Sequence, residues 1–194
     1  MTAGAAAIAR NRGGQRNVGR QQDDFYRTPP WCTEALLRVE PGMPSGIWEP
    51  ACGDGAISRV LAEAGRHVWS TDLVGRGYGF ARRDFLLEYA MPGDIGGIVT
   101  NPPFKLADDF ALHALERLRV PYLAMLLRLA FLEGMARGAA LFTPHPPARV
   151  WAFGKRPTLW RGDEVAGTGG SIAYAWFVWD GLTLPGETRL GWCA

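Results

Sequence analysis

The segment from Ile47 to Gly55 constrains the fold of this chain more than any other. It begins with the apolar residues Ile47 and Trp48, which favour a short β-strand, and continues into a turn that contains two glycines. Residues 57–64 then have helical spacing, and the helix is expected to stop at Gly65. A strand, a glycine-rich turn and a helix in that order are typical of open α/β sheets, which bind ligands beyond the carboxyl ends of their strands.

Further strands and helices alternate along the rest of the chain. The predicted strands cover 47–49, 67–71, 97–100, 122–127, 150–153 and 173–179, and the predicted helices cover 33–39, 57–64 and 105–118. Thr33 is expected to cap the first helix. This alternation predicts an α/β fold with a Rossmann-like, doubly wound and mostly parallel sheet. Because no helix separates the last two strands, we expect them to pair as an antiparallel C-terminal hairpin at the sheet edge.

The composition is that of one globular domain. The chain has 194 residues, of which 47% are hydrophobic and 21% are charged, so it can bury a core. No apolar run approaches the roughly 20 residues that a membrane-spanning helix needs. No signal peptide is apparent, so we expect a cytoplasmic protein without membrane contacts. The three cysteines are widely spaced and only three histidines are present, which predicts neither disulfides nor a metal site.

The first 22 residues differ from the remainder in charge. They contain four arginines and no acidic residue, so the other 17 basic residues face 19 acidic ones. We expect residues 1–22 to form a disordered basic arm and residues 23–194 to form a single domain. Such an arm would supply sequence-independent contacts to nucleic-acid phosphates, or it would be a passive, solvated tail.

Acidic side chains accompany the glycine turn. Glu49 and Asp54 lie where a phosphate-binding loop would avoid negative charge, so the expected ligand presents a cation or hydroxyl groups. Asp72 follows the next predicted strand and suits a bidentate hydrogen bond to a ribose diol. S-adenosylmethionine carries an ammonium, a sulfonium and such a diol, and is therefore the expected ligand.

A second motif, Asn101-Pro-Pro-Phe104, directly follows the strand predicted over 97–100. The two prolines stiffen the loop and remove two backbone donors, which leaves the carbonyl of Pro102 free to accept a hydrogen bond. The amide oxygen of Asn101 is a second acceptor, and together they could hold one NH₂ group. Phe104 offers a face on which a planar base could stack. The same residues could form a simple turn, but the acidic glycine turn about 50 residues earlier favours a site.

Together the two motifs resemble those of class I S-adenosylmethionine-dependent methyltransferases, in particular the small phage and bacterial enzymes that methylate adenine N6 in DNA. The resemblance covers about residues 23–180. Glu-Pro-Ala-Cys-Gly-Asp-Gly55 is similar to their cofactor motif, and Asn101–Phe104 is similar to their catalytic motif. The segment 23–31 resembles an N-terminal stretch that closes over the methionine part of the cofactor.

The resemblance implies a set of site residues. The catalytic residues are Asn101, Pro102, Pro103 and Phe104. The cofactor-binding residues are Tyr26, Thr28, Pro29, Trp31, Glu49, Ala51, Gly53, Asp54, Gly55, Asp72, Leu73, Asp84 and Phe85, with the last two contacting the cofactor adenine.

The resemblance also implies seven strands in the order 3-2-1-4-5-7-6 and a monomer or weak dimer. A separate target-recognition domain is not expected, because only about 90 residues follow Phe104. Base recognition is then left to the loops 75–83, 143–149 and 161–171, whose arginines (Arg76, Arg82, Arg83, Arg149 and Arg161) could contact phosphates. We therefore expect low sequence specificity on DNA.

Other functions fit the same residues less well. An RNA adenine-N6 methyltransferase would share the catalytic motif. A protein glutamine methyltransferase acting on a release factor usually has tyrosine at the position of Phe104, and a cytosine-N4 enzyme favours serine at that of Asn101. A binding module without activity would not need the catalytic asparagine.

Several residues are expected to lie outside the chemistry. Cys52 is expected to pack rather than act as a nucleophile, and His113 to lie on the helix surface. His145 is a weaker candidate for the target pocket. Trp31 and Trp160 are candidates for contact with the base or the cofactor.

Overall fold

The computed structural model describes residues 25–161, 170–181 and 187–194, with the side chains at 160 and 161 left aside. The strands are β1 (Tyr26–Arg27), β2 (Gly46–Glu49), β3 (His67–Ser70), β4 (Gly97–Thr100), β5 (Tyr122–Arg128), β6 (Arg149–Phe153), β7 (Trp160–Arg161), β8 (Tyr174–Asp180) and β9 (Arg189–Cys193). The α-helices are α1 (Pro30–Val39), α2 (Ala56–Glu63), α3 (Ala107–Leu112) and the short α4 (Met135–Arg137). None of the helices within these ranges is long and apolar enough to cross a membrane.

Seven strands form the main sheet, in the order β3-β2-β4-β5-β8-β6-β9. Strands β3, β2, β4 and β5 are mutually parallel, whereas β8 runs antiparallel to both β5 and β6. Strands β1 and β7 pair separately as a short antiparallel ribbon. The predicted α/β fold, with a mostly parallel Rossmann-like sheet of seven strands and an antiparallel C-terminal pair, is confirmed.

The predicted strand order, 3-2-1-4-5-7-6, is wrong at both edges of the sheet: the predicted third strand is missing at one edge, and β9 is added at the other. No strand forms between β3 and β4, a stretch that the structure describes in full, and only one bridge joins Thr71 to Phe80. The glycines and charged residues of that stretch offer no apolar run long enough for a strand. At the other edge β9 pairs parallel with β6, so the antiparallel β6–β8 pair lies one strand inside the edge.

The core has two layers because both faces of the sheet are buried. Side chains alternate along the strands, so Ile98 faces one hydrophobic cluster and its neighbour Val99 faces the other. The first cluster includes Trp48, Phe85, Phe110, Leu123 and Phe177, and the second includes Leu36, Ile47, Ile57, Leu126 and Trp176. Helix α3 therefore covers one face and helices α1 and α2 cover the other, as a doubly wound sheet requires.

Helix α1 begins three residues before the predicted start. Pro29 precedes the helix and Pro30 is its first residue, a position that proline favours because its missing N–H would have no helical partner. Thr33 is therefore not the N-cap that the sequence predicts. Its side chain is instead fully buried within the helix.

The helix predicted over 105–118 is not a regular α-helix. A 3₁₀ turn over Phe104–Leu106 precedes α3, and a π-helical turn over His113–Arg117 follows it. The amide of Leu118 donates to the carbonyl of His113 at 3.0 Å, five residues earlier. His113 is half-buried with its ring 5.0 Å from that of Phe85, so the prediction that it lies on the helix surface is wrong.

A buried cluster of charges joins the end of α1 to β6 and β8. Glu40, 5% exposed, accepts from Nε of Arg149 at 2.6 Å and from the indole N–H of Trp151 at 2.6 Å. Asp180 also pairs with Arg149. The charge of Arg149 is therefore neutralised by two carboxylates inside the fold, and the prediction that Arg149 contacts phosphates is wrong.

Candidate functional site

A cleft of about 590 Å³ opens at the carboxyl ends of β2, β3 and β4. Its volume lies within the usual range for pockets that hold a cofactor or small molecule. The loop after each of these strands contributes one wall, and the segment 25–28 lies across them. Parallel strands end at the same edge of a sheet, which is why motifs far apart in the chain meet here.

The glycine turn lets two aromatic rings approach its backbone. Gly53 and Gly55 have positive φ angles of 57° and 86°. A Cβ atom on Gly53 would lie 2.2 Å from the Phe25 ring, and one on Gly55 would lie 2.5 Å from the Tyr78 ring. Both positions therefore need glycine for conformation and for space.

Two acidic side chains at the strand ends are held by uncharged donors. Glu49 is 2% exposed and accepts from the hydroxyl of Ser58, whose oxygen lies 2.7 Å from that of Ser70. Asp72 accepts from the backbone N–H of Gly53 at 2.7 Å and of Val74 at 2.8 Å.

Burial controls the protonation of both groups. It raises the pKa of Glu49 well above its usual range, and the Ser58 hydrogen bonds only partly oppose it. Burial also raises the pKa of Asp72, against the lowering effect of the backbone N–H groups of Val74 and Gly53. Negative charge in this part of the cleft therefore costs free energy that a bound cation would offset.

Asp54 has one satisfied and one unsatisfied oxygen. Its Oδ2 pairs with Nε of Arg27 at 2.9 Å. Its Oδ1 is buried and has no hydrogen-bond partner. A buried acceptor without a partner costs free energy, which a donor on a bound ligand would recover.

The side chain of Asn101 is oriented by the segment over residues 26–28. Its amide nitrogen donates to the carbonyl of Tyr26 at 2.9 Å and to the hydroxyl of Thr28 at 3.0 Å. A carbonyl oxygen only accepts hydrogen bonds, so the nitrogen must be on this side. The amide oxygen of Asn101 is consequently on the other side, where it is buried and has no hydrogen-bond partner.

Phe104 lies beside the cleft and does not line it. Its ring centroid is 5.5 Å from that of Tyr26 and 5.9 Å from that of Tyr174. The guanidinium of Arg128 lies 4.8 Å from the same ring. These contacts hold Phe104 in an aromatic cluster next to the Asn101 loop.

Asp84 and Phe85 form the wall below the β3 loop. Asp84 caps a 3₁₀ turn over Phe85–Leu87 by accepting from the N–H of Leu86 at 3.0 Å. Phe85 is buried and its ring lies 5.3 Å from Trp48 and 4.7 Å from Phe110. Core packing therefore fixes the apolar side of the cleft.

The structure brings most of the predicted site residues together. Those that line the cleft are Tyr26, Thr28, Glu49, Ala51, Asp54, Asp72, Leu73, Asp84, Phe85, Asn101, Pro102 and Pro103. Those that do not line it are Pro29, Trp31, Gly53, Gly55 and Phe104. Trp31 packs against Phe153 at 5.2 Å instead. The basic arm, most of the loop 161–171 and the side chain of Trp160 lie outside the described residues.

The residues set aside from the chemistry also have defined places. Burial raises the pKa of the Cys52 thiol to about 12, which keeps it protonated and unreactive. The ring of His145 lies 3.2 Å from a carboxylate oxygen of Glu116, and His145 does not line the cleft. Within the described ranges, no group of three His, Cys, Asp or Glu side chains could hold a metal ion.

Several lining residues were not predicted as catalytic or cofactor-binding residues. They are Phe25, Arg27, Pro50, Cys52, Ala56, Ile57, Val74, Arg76, Arg83, Leu86, Lys105, Leu106, Asp109 and Phe110. Phe25 and Arg27 adjoin predicted residues, and Lys105 and Leu106 directly follow the catalytic motif. Their position next to a motif in the sequence is the feature that could have identified them as lining residues.

No family model and no curated protein sequence matches the chain. Solved structures do match. A proposed RNA methyltransferase from Pyrococcus horikoshii superposes with a TM-score of 0.59 at 15% identity, over 91% of this chain and 96% of that one. The methyltransferase subunit of a type I restriction-modification system from Streptococcus thermophilus matches with a TM-score of 0.54 at 16% identity. The 23S rRNA methyltransferase ErmE matches with a TM-score of 0.51 at 16% identity, over 84% of this chain and 72% of that one.

This chain shares the fold of these three proteins. The match to the restriction-modification subunit covers 81% of this chain but only 45% of that one, so the chain spans less than half its length. At these identities the likeness establishes the fold and leaves the ligand and the substrate to be inferred from the cleft.

Proposed function

We propose that this protein is an S-adenosylmethionine-dependent methyltransferase that transfers a methyl group to the exocyclic N6 amine of adenine in DNA. The observation that carries the proposal is the amide oxygen of Asn101, which is buried, unpaired and beside a cleft of cofactor size. Such an oxygen suits an N–H donor on the substrate.

The residues at the glycine turn fit the cofactor. Asp72 has a second lone pair on each oxygen beyond its backbone bonds and would accept from the ribose hydroxyls. Asp54 has a buried, unpaired oxygen for an ammonium group, and the buried Glu49 lies nearby without a basic partner among the described residues. When bound, S-adenosylmethionine would supply an electrophilic methyl group on a sulfonium.

The Asn101 loop would hold the amine that accepts this group. Its amide oxygen and the carbonyl of Pro102 are both acceptors, and each can receive one N–H of an NH₂ group. Holding both N–H bonds would disfavour delocalisation of the nitrogen lone pair into the base. Proximity and orientation of this kind can lower a barrier by several kcal/mol.

A nucleic acid is the substrate that the surroundings favour. Lys105 lines the cleft and is exposed. Arg27 and Arg83 also line it and are exposed, although each pairs with one carboxylate, so all three can approach phosphates. Reaching Asn101 would require the target base to be extruded from a duplex, which costs least in unpaired DNA. We propose a short, degenerate sequence context, read by the loop 75–83.

RNA is the second candidate substrate. One neighbour is a 23S rRNA methyltransferase and another a proposed RNA methyltransferase, and the cleft described here would accept adenine from either nucleic acid. The methylated product distinguishes the two, because its sugar either carries or lacks the 2′-hydroxyl.

The test is to identify the methylated nucleoside. The protein is incubated with S-adenosylmethionine and separately with single-stranded DNA, duplex DNA and RNA, and the digested nucleosides are identified by mass. We expect N6-methyldeoxyadenosine, with single-stranded DNA a competent substrate. N6-methyladenosine from RNA alone would establish the second candidate, and a protein that binds the cofactor but methylates neither nucleic acid would refute both.

A further inference from the structure

The segment over 26–28 contacts Asn101 through two hydrogen bonds that join residues more than 70 positions apart. The amide nitrogen of Asn101 lies 2.9 Å from the carbonyl oxygen of Tyr26 and 3.0 Å from the hydroxyl of Thr28. Thr28 is 3% exposed, although a place over the cofactor is expected for it from the sequence. Resting on the proposed function, we propose that Thr28 is a positioning residue that orients Asn101 toward the substrate amine.

The two partners have different parts in this orientation. The Tyr26 carbonyl sets its direction, because a reversed amide would place two acceptor oxygens 2.9 Å apart. Thr28 occupies the second N–H, so that neither hydrogen of the amide remains to turn toward the cleft. With both hydrogens engaged, only the oxygen is available to a ligand, and it is the atom without a partner.

The segment is itself anchored at the cofactor end of the cleft. The ring of Phe25 lies against Gly53, and the guanidinium of Arg76 lies 4.4 Å from that ring. Arg27 pairs with Asp54 at 2.9 Å. Beyond the segment, Pro30 begins α1. Thr28 is therefore held between two fixed points, and its hydroxyl can restrain Asn101 rather than follow it.

The matched variants are Thr28→Val, which keeps the shape and removes the acceptor, and Thr28→Ser, which keeps the hydroxyl. Loss of one hydrogen bond that orients the acceptor should lower kcat by roughly tenfold in Thr28→Val. The dissociation constant for S-adenosylmethionine should stay within about twofold of wild type. Thr28→Ser should keep most of the kcat. Activity is measured on an adenine-containing single-stranded DNA oligonucleotide.

A second readout does not depend on activity. The side-chain NH₂ of Asn101 gives an NMR signal pair that Asn101→Asp removes, which assigns it. We expect these protons to exchange slowly in wild type and Thr28→Ser, and faster in Thr28→Val. If wild type methylates no nucleic acid, the proposed function fails, and this signal still decides whether Thr28 restrains the amide.

Other outcomes would overturn the inference. Unchanged kcat and unchanged amide exchange in Thr28→Val would show that the hydroxyl does not position Asn101. Weaker cofactor binding at unchanged kcat would assign the hydroxyl to the cofactor instead. Equal losses in Thr28→Val and Thr28→Ser would show that the methyl group and its packing, not the hydroxyl, matter.

Discussion

Two buried glutamates have contrasting surroundings. Glu40 is paired with Arg149 through both carboxylate oxygens, at 2.6 and 2.9 Å, and accepts from Trp151 as well. Glu49 is still more buried, accepts from the hydroxyl of Ser58, and has no basic partner among the described residues. The carboxylate of Glu40 has its cation and its hydrogen-bond donors within the fold, whereas that of Glu49 lines a cleft and has no cation among the described residues. A missing counter-charge therefore separates a ligand site from a structural ion pair more clearly than burial does.

The largest expected effect comes from breaking the ion pairs of Arg149 with Glu40 and Asp180. Arg149→Ala would leave Glu40 and Asp180 buried without their cation, and should lower the free energy of unfolding by about 3–5 kcal/mol. Chemical denaturation measures this loss. The double variant Glu40→Gln/Arg149→Met removes the unpaired charge on Glu40 and should recover part of it. A loss below about 1 kcal/mol in Arg149→Ala would show that this pair is not the structural one.

The next effect is on the cofactor side of the comparison. Asp72→Ala should weaken S-adenosylmethionine binding by about 1.5–3 kcal/mol, through loss of a charge-assisted hydrogen bond. Calorimetry on the folded variant measures it. Asp72→Asn keeps an oxygen for the Gly53 amide and should lose less. Unchanged affinity in Asp72→Ala would remove Asp72 from the cofactor site.

Asn101→Ala should separate chemistry from binding. It removes the unpaired acceptor, so kcat should fall at least about tenfold, whereas cofactor affinity should remain close to wild type. Single-turnover kinetics with saturating cofactor measure the effect. Lys105→Ala, at an exposed lining residue, is the control and should change substrate affinity more than turnover. Normal turnover in Asn101→Ala would show that the loop is not catalytic.

The last effect, and the smallest over a single pH unit, is a pH dependence of stability. Burial raises the pKa of Glu49, so the folded protein keeps a proton that the unfolded chain releases above about pH 4.3. The free energy of unfolding should therefore fall with rising pH, by up to about 1.4 kcal/mol per pH unit, until the folded pKa is passed.

The Gln side chain in Glu49→Gln cannot titrate, so the variant should lack this contribution to the pH dependence of the free energy of unfolding. The difference in free energy of unfolding between the variant and wild type should therefore shift in favour of the variant as pH rises. Urea denaturation at several pH values without cofactor gives the difference. Glu63→Gln, an exposed change at the end of α2, should follow wild type. Parallel curves for Glu49→Gln and wild type would mean that Glu49 is ionised without a cost.

The sequence predicted the cleft because its motifs lie at strand ends. Glu49, Asp72 and Asn101 each lie at or just beyond the end of a short strand, and parallel strands bring such residues to one edge. Local patterns therefore sufficed for the fold class and for nearly half of the lining residues.

The contacts that orient the site could not be predicted in this way. Thr28 and Asn101 are 73 residues apart, and Arg149 and Glu40 are 109 apart. Neither pair belongs to one local pattern, and nothing in the composition distinguishes Arg149 from an exposed arginine. The predicted strand order failed at the β9 edge for a related reason, because β9 pairs with β6, Arg189 beside Arg149, and the two strands do not belong to one local pattern.

The π-helical turn at His113–Arg117 has an evolutionary consequence. Such a turn corresponds to an α-helix that has gained one residue. A homologue without that residue would have a regular helix, and side chains beyond the deletion would keep nearly the same direction, because five residues of a π-turn and four residues of an α-helix sweep almost the same angle. Aligned homologues should accordingly tolerate a one-residue gap here, and the contact between the rings of His113 and Phe85, at the start of the turn, should persist.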